Sequence, residues 1–219
     1  MKVRCSNLDS PFQHPTRLGF KVKVDCYLSR CSKFPDEIAV SHCPVEMLFW
    51  GVLEGDPEVR SFVPQSHRFY LGTERYTSDI YYKKRGRRII AELKSEKDFI
   101  DFEEKSSLIR EFLKSTLYEF KHITNESIRE RETFARNWLT ISRTLITSTD
   151  INTVTATEEV LDRLSAASSV AVGDIIDMQS RVENCQLEIA LFRLANIGKV
   201  HLSLDHSILS ADTEVRLCD

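Results

Sequence analysis

Two short segments carry acidic and basic residues at a spacing that could support metal-ion chemistry. Asp79 lies in the first segment, and Glu92 and Lys94 lie in the second. Because alternate residues of a β-strand project to the same face, Glu92 and Lys94 are predicted to lie side by side. Leu93, between them, is predicted to point the other way, into a core.

The residues between the two segments predict a β-hairpin that adds Asp79 to this group. If Arg85 and Gly86 form a two-residue turn, the register places Asp79 directly opposite Glu92. Directly opposed side chains have Cβ atoms about 4.5–5.5 Å apart. An odd-length loop or a bulge would break this register.

Two carboxylates at that distance repel each other, and a divalent cation between them relieves the repulsion. A site with only oxygen ligands favours a hard cation, Mg²⁺ or Mn²⁺. Such an ion can lower the pKa of a bound water and polarise a phosphate, while Lys94 contacts the phosphate or orients the water. Phosphodiester cleavage needs these features, so the pattern predicts a metal-dependent nuclease.

A helix predicted over residues 44–54 supplies a third carboxylate, Glu46. Pro44 suits the first helical position, and Gly55 suits the C-terminal cap. The apolar residues that recur at helical spacing are Val45, Leu48, Phe49, Val52 and Leu53. Glu46 lies off this apolar face, where it could face the strand carboxylates. The competing interpretation is a hairpin with surface charges, because so short a motif recurs by chance.

The remaining pattern predicts an α/β first part and a mostly helical second part. In the first part, strands are predicted at 59–63, 67–71, 76–83, 87–94 and 118–123. A second helix is predicted at 97–118. Residues Phe20 to Tyr27 could form one more strand. In the second part, a long helix is predicted from about Thr124 to Leu145. It is followed by three helices, at 157–166, 171–180 and 184–197, and then by two strands, at 200–204 and 213–217. Three helices followed by a two-stranded hairpin is the order of a winged helix, so we predict two domains, 1–124 and 125–219.

The net charge of −3 is unevenly distributed along the chain. Residues 1–124 are mildly basic, which suits a polyanionic partner, whereas residues 125–219 are acidic, which suits a protein partner. The basic residues of the predicted hairpin tip are Lys83, Lys84, Arg85, Arg87 and Arg88. This tip could contact DNA phosphates, although a solvated loop is the alternative. Arg60, Arg68 and Arg75 could line a DNA channel, although scattered arginines are more often ordinary surface residues.

Membrane and secretion signals are missing from the sequence. It has no run of about 18 apolar residues, so no membrane span is expected. Residues 1–10 are polar and lack the apolar core of a signal peptide. These features predict a cytoplasmic protein whose six cysteines are free thiols. A zinc site from Cys26, Cys31, His42 and Cys43 is conceivable, but its spacing is irregular and no CxxC pair is present.

Three segments resemble the TnsA family, the endonuclease subunit of heteromeric Tns-type transposases. They are Glu46 with Leu53–Gln65, Tyr76–Asp79, and Ile90–Lys94. The resemblance covers residues 41–95 and extends more loosely to Phe120–Thr124. The family usually has Pro at two positions that are Ser66 and Ser78 in this chain.

The resemblance implies a restriction-endonuclease-like nuclease domain followed by a winged-helix domain. It implies that Glu46, Asp79 and Glu92 hold the metal ions, and we include Leu93 in the same metal site. Lys94 corresponds to the family's catalytic lysine. Gln65 corresponds to a glutamine that supports the site.

The resemblance also implies a reaction and partners. The chain would cleave the 5′ strands of double-stranded DNA at transposon ends during cut-and-paste transposition. A TnsB-like transposase subunit of the DDE type would cut the 3′ ends, and a TnsC-like AAA+ ATPase would regulate the pair and bind the C-terminal part. Two alternatives stay open: a stand-alone resolvase- or restriction-like nuclease, and a non-catalytic DNA-binding adaptor.

Overall fold

The computed structural model describes residues 2–14, 26–177, 180 and 184–218. Over these residues the chain has the predicted α/β character. It divides into two compact units: unit 1 is Met1–Trp50 with Val59–Glu130, and unit 2 is Gly51–Glu58 with Arg131–Asp219. The sequence placed the boundary after residue 124, whereas unit 1 ends at Glu130 and does not include residues 51–58.

The described strands of unit 1 are β1 (Val3–Cys5), β2 (Tyr27–Cys31), β3 (Phe34–Ser41), β4 (Val59–Pro64), β5 (Arg68–Leu71), β6 (Glu74–Thr77), β7 (Ile80–Lys84), β8 (Arg87–Lys94) and β9 (Tyr118–Thr124). Its helices are α1 (Pro44–Glu54), α2 (Glu96–Leu113) and α3 (Asn125–Arg129). The end of α1 belongs to unit 2. The predicted helix at 44–54 and the predicted strand at 87–94 are confirmed with the same bounds. The strand predicted at Phe20 to Tyr27 lies outside the described residues except for its last two positions.

The candidate residues lie on a four-stranded sheet with the order β4-β7-β8-β9. Its β4–β7 and β7–β8 pairs are antiparallel, and its β8–β9 pair is parallel. A parallel pair needs a crossover connection, and α2 provides it. Ser95 caps the start of α2 by accepting a hydrogen bond from the Asp98 N–H, so the helix begins directly after Lys94.

The β7–β8 hairpin has the predicted two-residue turn. Arg85 and Gly86 have φ values of +48° and +75°, and two consecutive positive values are typical of a type I′ turn. The pairs run from Lys84 with Arg87 down to Ile80 with Ala91. The predicted register is therefore confirmed over these five pairs, and one further step of the same register would set Asp79 opposite Glu92.

A second sheet of unit 1, with the order β1-β5-β6, covers one side of a hydrophobic core in this unit. Its buried residues Phe69 and Leu71 pack with Tyr81 and Ile90 of the four-stranded sheet. The α2 residues in the same core are Phe102, Ile109 and Leu113. This core fixes the face of β8 that carries Ile90, Glu92 and Lys94, since these residues alternate along the strand.

Two predicted elements of unit 1 differ from the structure, a strand whose pairing partner changes and a helix that ends early. The strand predicted at 76–83 is interrupted at Ser78 and Asp79. Before this break β6 pairs with β5, and after it β7 pairs with β4 and β8. The helix predicted at 97–118 ends at Leu113, where a turn leads into β9.

Unit 2 contains α4 (Glu132–Thr147), α5 (Val154–Ser165), β10 (Val170–Ala171), α6 (Val172–Ile175), α7 (Cys185–Asn196), β11 (Val200–Leu202) and β12 (Glu214–Leu217). The long helix predicted from Thr124 is split into α3 and α4, because Arg131 leaves the helical conformation with ψ 22°. The helix predicted at 171–180 is described only as the short α6. The strand β10 was not predicted, and it joins a three-stranded sheet with the order β10-β12-β11.

Residues 51–58 cluster with unit 2 because their backbone packs closely against it. A Cβ on Gly51 would lie 2.2 Å from the carbonyl oxygen of Ala135. A Cβ on Gly55 would lie 2.4 Å from the ring atoms of Phe134 and Trp138. Glycine at these two positions is what allows the approach.

Among the described residues, no helix is both long enough and apolar enough to cross a membrane.

The hairpin turn gives a first testable prediction. Nothing lies within 4 Å of the position that a Cβ on Gly86 would occupy, so only the left-handed backbone opposes a side chain. We expect Gly86→Ala to lower the free energy of unfolding by about 1–2 kcal/mol, measured by urea denaturation. Gly86→Asn is the control and should lose less, because Asn tolerates positive φ. Equal stability of Gly86→Ala and the unsubstituted protein would contradict this turn geometry.

Candidate active site

Asp79 and Glu92 meet where the chain passes from β6 into β7. Asp79 lies in the two-residue break between these strands, and Glu92 and Lys94 lie near the end of β8. An Asp79 carboxylate oxygen, Oδ2, accepts a hydrogen bond from the Leu93 N–H at 2.7 Å. The β8 backbone therefore fixes the Asp79 carboxylate beside Glu92, as the register requires.

Glu92 is the most deeply buried acidic residue of the group, with 1% of its surface exposed. Its Oε1 lies 2.5 Å from the Lys94 Nζ. Its Oε2 accepts a hydrogen bond from the Tyr76 hydroxyl. The carboxylate is thus held from both sides, by a cation on its own strand and by a phenol on β6.

Lys94 is half-buried and lies 5.6 Å from the centre of the Phe102 ring on α2. Burial opposes the charged form of Lys94, but the carboxylates of Glu92, Asp79 and Glu46 outweigh it and raise the lysine pKa. The side chain therefore stays positively charged beside the carboxylates.

The charge of Glu92 disfavours the ionisation of Asp79 and Glu46. Burial, and then the charge of Glu92, raises the pKa of Asp79 well above its ordinary value, although Lys94 and the Leu93 N–H oppose the shift. Burial, and then Glu92, raises the pKa of Glu46 to about 7. Raised carboxyl pKa values in a buried group indicate excess negative charge that a proton or a cation would relieve.

Glu46 joins the group from the first turn of α1. The effect of Glu92 on its pKa, and the opposing effect of Lys94, mean that it lies within electrostatic reach of both. A backbone hydrogen bond at His42 also favours the ionised form of Glu46. The helix predicted to supply a third carboxylate therefore carries it within electrostatic reach of the strand residues, although no direct contact joins them in the described part of the chain.

Gln65 lies against Asp79 through its backbone. Its N–H donates to the Asp79 carbonyl oxygen at 2.6 Å, and its own carbonyl oxygen accepts from the His14 N–H at 3.0 Å. Its φ is +43°, a left-handed value that is uncommon for a residue other than glycine. The side-chain Oε1 is buried and has no hydrogen-bond partner among the described residues.

The described residues contain no group of three or more His, Cys, Asp or Glu side chains arranged to hold a metal ion. The conceivable zinc set is not assembled within them either, and its one close pair is Cys26 Sγ with His42 Nδ1 at 3.5 Å. The side-chain donor atoms of Glu46, Asp79 and Glu92 are nevertheless all carboxylate oxygens. Mg²⁺ commonly uses only one or two carboxylates and completes its shell with water and phosphate oxygens. The donor set therefore fits a hard cation that arrives with a phosphate.

Residues of the basic hairpin tip form contacts within unit 1. Arg87 forms an ion pair with Glu119 on β9. The Arg88 guanidinium lies 5.4 Å from the centre of the Tyr118 ring. Lys83 is exposed. The tip is on the surface, as predicted, but part of its charge is already balanced by the protein.

Sequence analysis did not identify Tyr76 or the buried network beneath Asp79. In that network the Ser66 hydroxyl lies 2.8 Å from His67 Nδ1 and 3.3 Å from the Ser78 hydroxyl. Burial lowers the pKa of His67 to about 4, so its ring is neutral at physiological pH. The one available sequence signal for Tyr76 was its place in the alternating pattern of the predicted strand, three residues before Asp79.

No protein-family model matches the chain, and no curated protein matches it in sequence.

Tyr76 gives a second prediction. Tyr76→Phe removes only the hydroxyl and leaves a buried Glu92 oxygen without its donor. We expect the free energy of unfolding to fall by about 1–3 kcal/mol in chemical denaturation. Tyr70→Phe is the matched control, because the Tyr70 hydroxyl forms no hydrogen bond in the described part of the chain. Equal losses in the two variants would mean that the Tyr76–Glu92 bond does not hold the carboxylate.

Glu46 gives a third prediction, for the protein in EDTA. The Glu46 pKa is about 7 in the folded state and 4.5 in the unfolded chain. The folded state therefore binds the proton more tightly, and stability falls as pH rises from about 4.5 to about 7. The fall is on the order of 3 kcal/mol at most, because one pKa unit corresponds to about 1.4 kcal/mol.

Glu46→Gln cannot ionise, so this variant should show a smaller fall between pH 5 and pH 7.5. Denaturation midpoints of both proteins at the two pH values measure the difference. Parallel pH profiles would show that Glu46 titrates normally and lies away from Glu92.

Proposed function

We propose that this protein is a divalent-metal-dependent DNA endonuclease. The observation that carries the proposal is the group formed by Asp79, Glu92 and Lys94, with Glu46 close enough to perturb its charges. Burying several carboxylates together costs stability unless a cation balances them. A structural role alone would be better served by apolar residues.

The protein residues have separable tasks in this proposal. Asp79 and Glu92, with Glu46, would hold Mg²⁺ or Mn²⁺, and the Leu93 N–H keeps Asp79 in place. The bound ion would supply Lewis-acid chemistry at the scissile phosphate and a more acidic water. Lys94 would hold the phosphate or orient the attacking water, and its raised pKa keeps it charged for that task. Gln65 would support the site through its bond to the Asp79 backbone.

We further propose that the chain is a TnsA-like subunit of a heteromeric transposase. The resemblance of residues 41–95 supports this. The architecture of unit 1 supports it as well. Its four-stranded sheet carries the group and is flanked by α1 and α2, and this arrangement is compatible with a restriction-endonuclease-like fold. The order of α5, α6, α7, β11 and β12 in unit 2 is compatible with a winged helix.

In this proposal the protein acts in the cytoplasm on double-stranded transposon ends. It would cut the 5′ strands while a TnsB-like DDE transposase cuts the 3′ strands. A TnsC-like AAA+ ATPase would bind the acidic second part of the chain. Fold alone does not specify function, so the carboxylate and lysine group carries the proposal.

The fourth prediction tests this function directly. Transposon-end DNA is incubated with Mg²⁺ or Mn²⁺, the protein, and its cognate transposase and ATPase. We expect Asp79→Ala and Lys94→Ala each to lower 5′-strand cleavage by about a hundredfold or more, because each removes several kcal/mol of transition-state stabilisation. The 3′ cuts should persist.

Asp101→Ala and Lys97→Ala are matched controls, because both residues are exposed on α2. They should cut both strands normally. Unchanged 5′ cleavage in the Asp79 and Lys94 variants would overturn the proposed active site and favour an adaptor. Full cleavage by the protein alone would favour a stand-alone nuclease.

A further inference from the structure

The outer face of the β1-β5-β6 sheet carries arginines in two cross-strand rows. Arg4 pairs with Tyr70, which pairs with Arg75, so these three residues form one row. Arg68 pairs with Thr77 and lies two residues before Tyr70 on the same face. The opposite face of the sheet holds Phe69, Leu71 and Tyr76 and belongs to the core. The arginine rows therefore project away from the core of unit 1.

These arginines have no acidic partners among the described residues, because Arg4, Arg68 and Arg75 form no ion pair there. The Arg68 Nε is buried and has no hydrogen-bond partner in the part of the chain that the structure describes. His14 lies beside them, and burial followed by the charges of Arg68 and Arg75 lowers its pKa. The face thus concentrates positive charge that nothing in the described part of unit 1 balances.

The geometry of the first row suits a phosphate backbone. Arg4 lies 4.4 Å from the centre of the Tyr70 ring, so its guanidinium is held in place by a cation–π contact. Arg4 and Arg75 are both exposed and lie two strand spacings apart, about 10 Å. A preorganised guanidinium loses less entropy on binding phosphate oxygens than a free one.

The strand that carries part of this face also leads, along the chain, to the candidate active site. The strand β6 carries Arg75 and Thr77, and it leads directly through Ser78 to Asp79. Phosphate contacts along this strand would set the position of a duplex relative to Asp79. The hairpin tip is less suited to this task, since Arg87 is paired with Glu119.

We propose that this arginine face, formed by Arg4, Arg68, Tyr70 and Arg75, binds the phosphate backbone of duplex DNA and positions it for cleavage. This inference rests on the proposed nuclease function for the identity of the polyanion. The contacts are to phosphates and carry no base readout, so the face binds duplexes of any sequence.

The test measures binding without cleavage. A fluorescent duplex is titrated with the full chain in EDTA at several NaCl concentrations, and anisotropy gives Kd. We expect Arg4→Gln/Arg75→Gln to raise Kd by about tenfold or more. The slope of log Kd against log salt should fall by about two, because each lost phosphate contact removes roughly 0.9. Arg4→Lys/Arg75→Lys keeps the charges and should retain most of the slope.

The matched control is Arg30→Gln/Arg129→Gln, which removes two other exposed arginines of unit 1. It should leave the slope and Kd close to those of the unsubstituted protein. Thermal melting followed by circular dichroism checks that all variants fold. Equal effects of the two glutamine pairs, or no effect of either, would overturn the proposal.

The same proteins separate this inference from the proposed function. If Arg4→Gln/Arg75→Gln weakens duplex binding and lowers the salt slope as expected but Asp79→Ala does not alter cleavage, the arginine face stands and the nuclease site fails. If cleavage depends on Asp79 while the arginine variants keep full duplex affinity, the nuclease stands and the arginine face fails.

Discussion

The register of the β7–β8 hairpin, which brings Asp79 beside Glu92, is the constraint on which the candidate site depends. The type I′ turn of the β7–β8 hairpin sets the two residues opposite each other, and the surrounding core removes water that would screen them. The protein offsets part of the repulsion between the two carboxylates with the Lys94 ammonium, the Tyr76 hydroxyl and the Leu93 N–H. The remaining excess appears as raised carboxyl pKa values, so the group is poised to take up positive charge.

The parts of this arrangement that follow local rules were predictable from the sequence. Pro44 starts α1 and Gly86 closes the hairpin turn, and each acts within a few residues of its position. The parts that depend on distant pairing were not predictable. Sequence analysis ran one strand through Ser78, because the switch from β5 to β4 as a partner has no local signal. The hydrogen bond of Tyr76 was missed because it depends on how β6 and β8 pack.

The two positions at which the chain departs from the TnsA pattern turn out to be neighbours. Ser66 and Ser78 are both fully buried, and their hydroxyls lie 3.3 Å apart. The Ser78 hydroxyl also accepts a hydrogen bond from the His67 N–H, and the Ser78 N–H donates to the His67 carbonyl oxygen. A proline at position 78 could not provide that donor. The two serines therefore form one buried, hydrogen-bonded contact directly before Asp79.

The close packing of Gly51 and Gly55 has a consequence for how the chain can be divided. The polypeptide passes between the two units after Trp50, after Glu58 and again after Glu130. Truncation at any one of these positions therefore leaves residues of both units in one fragment. A fragment that stops at Glu130 would keep Gly51 but lack Ala135, leaving a bare helical turn in water. Recombination that exchanges one unit between related proteins would have to replace two separate segments at once. This constraint favours inheritance of the chain as a whole.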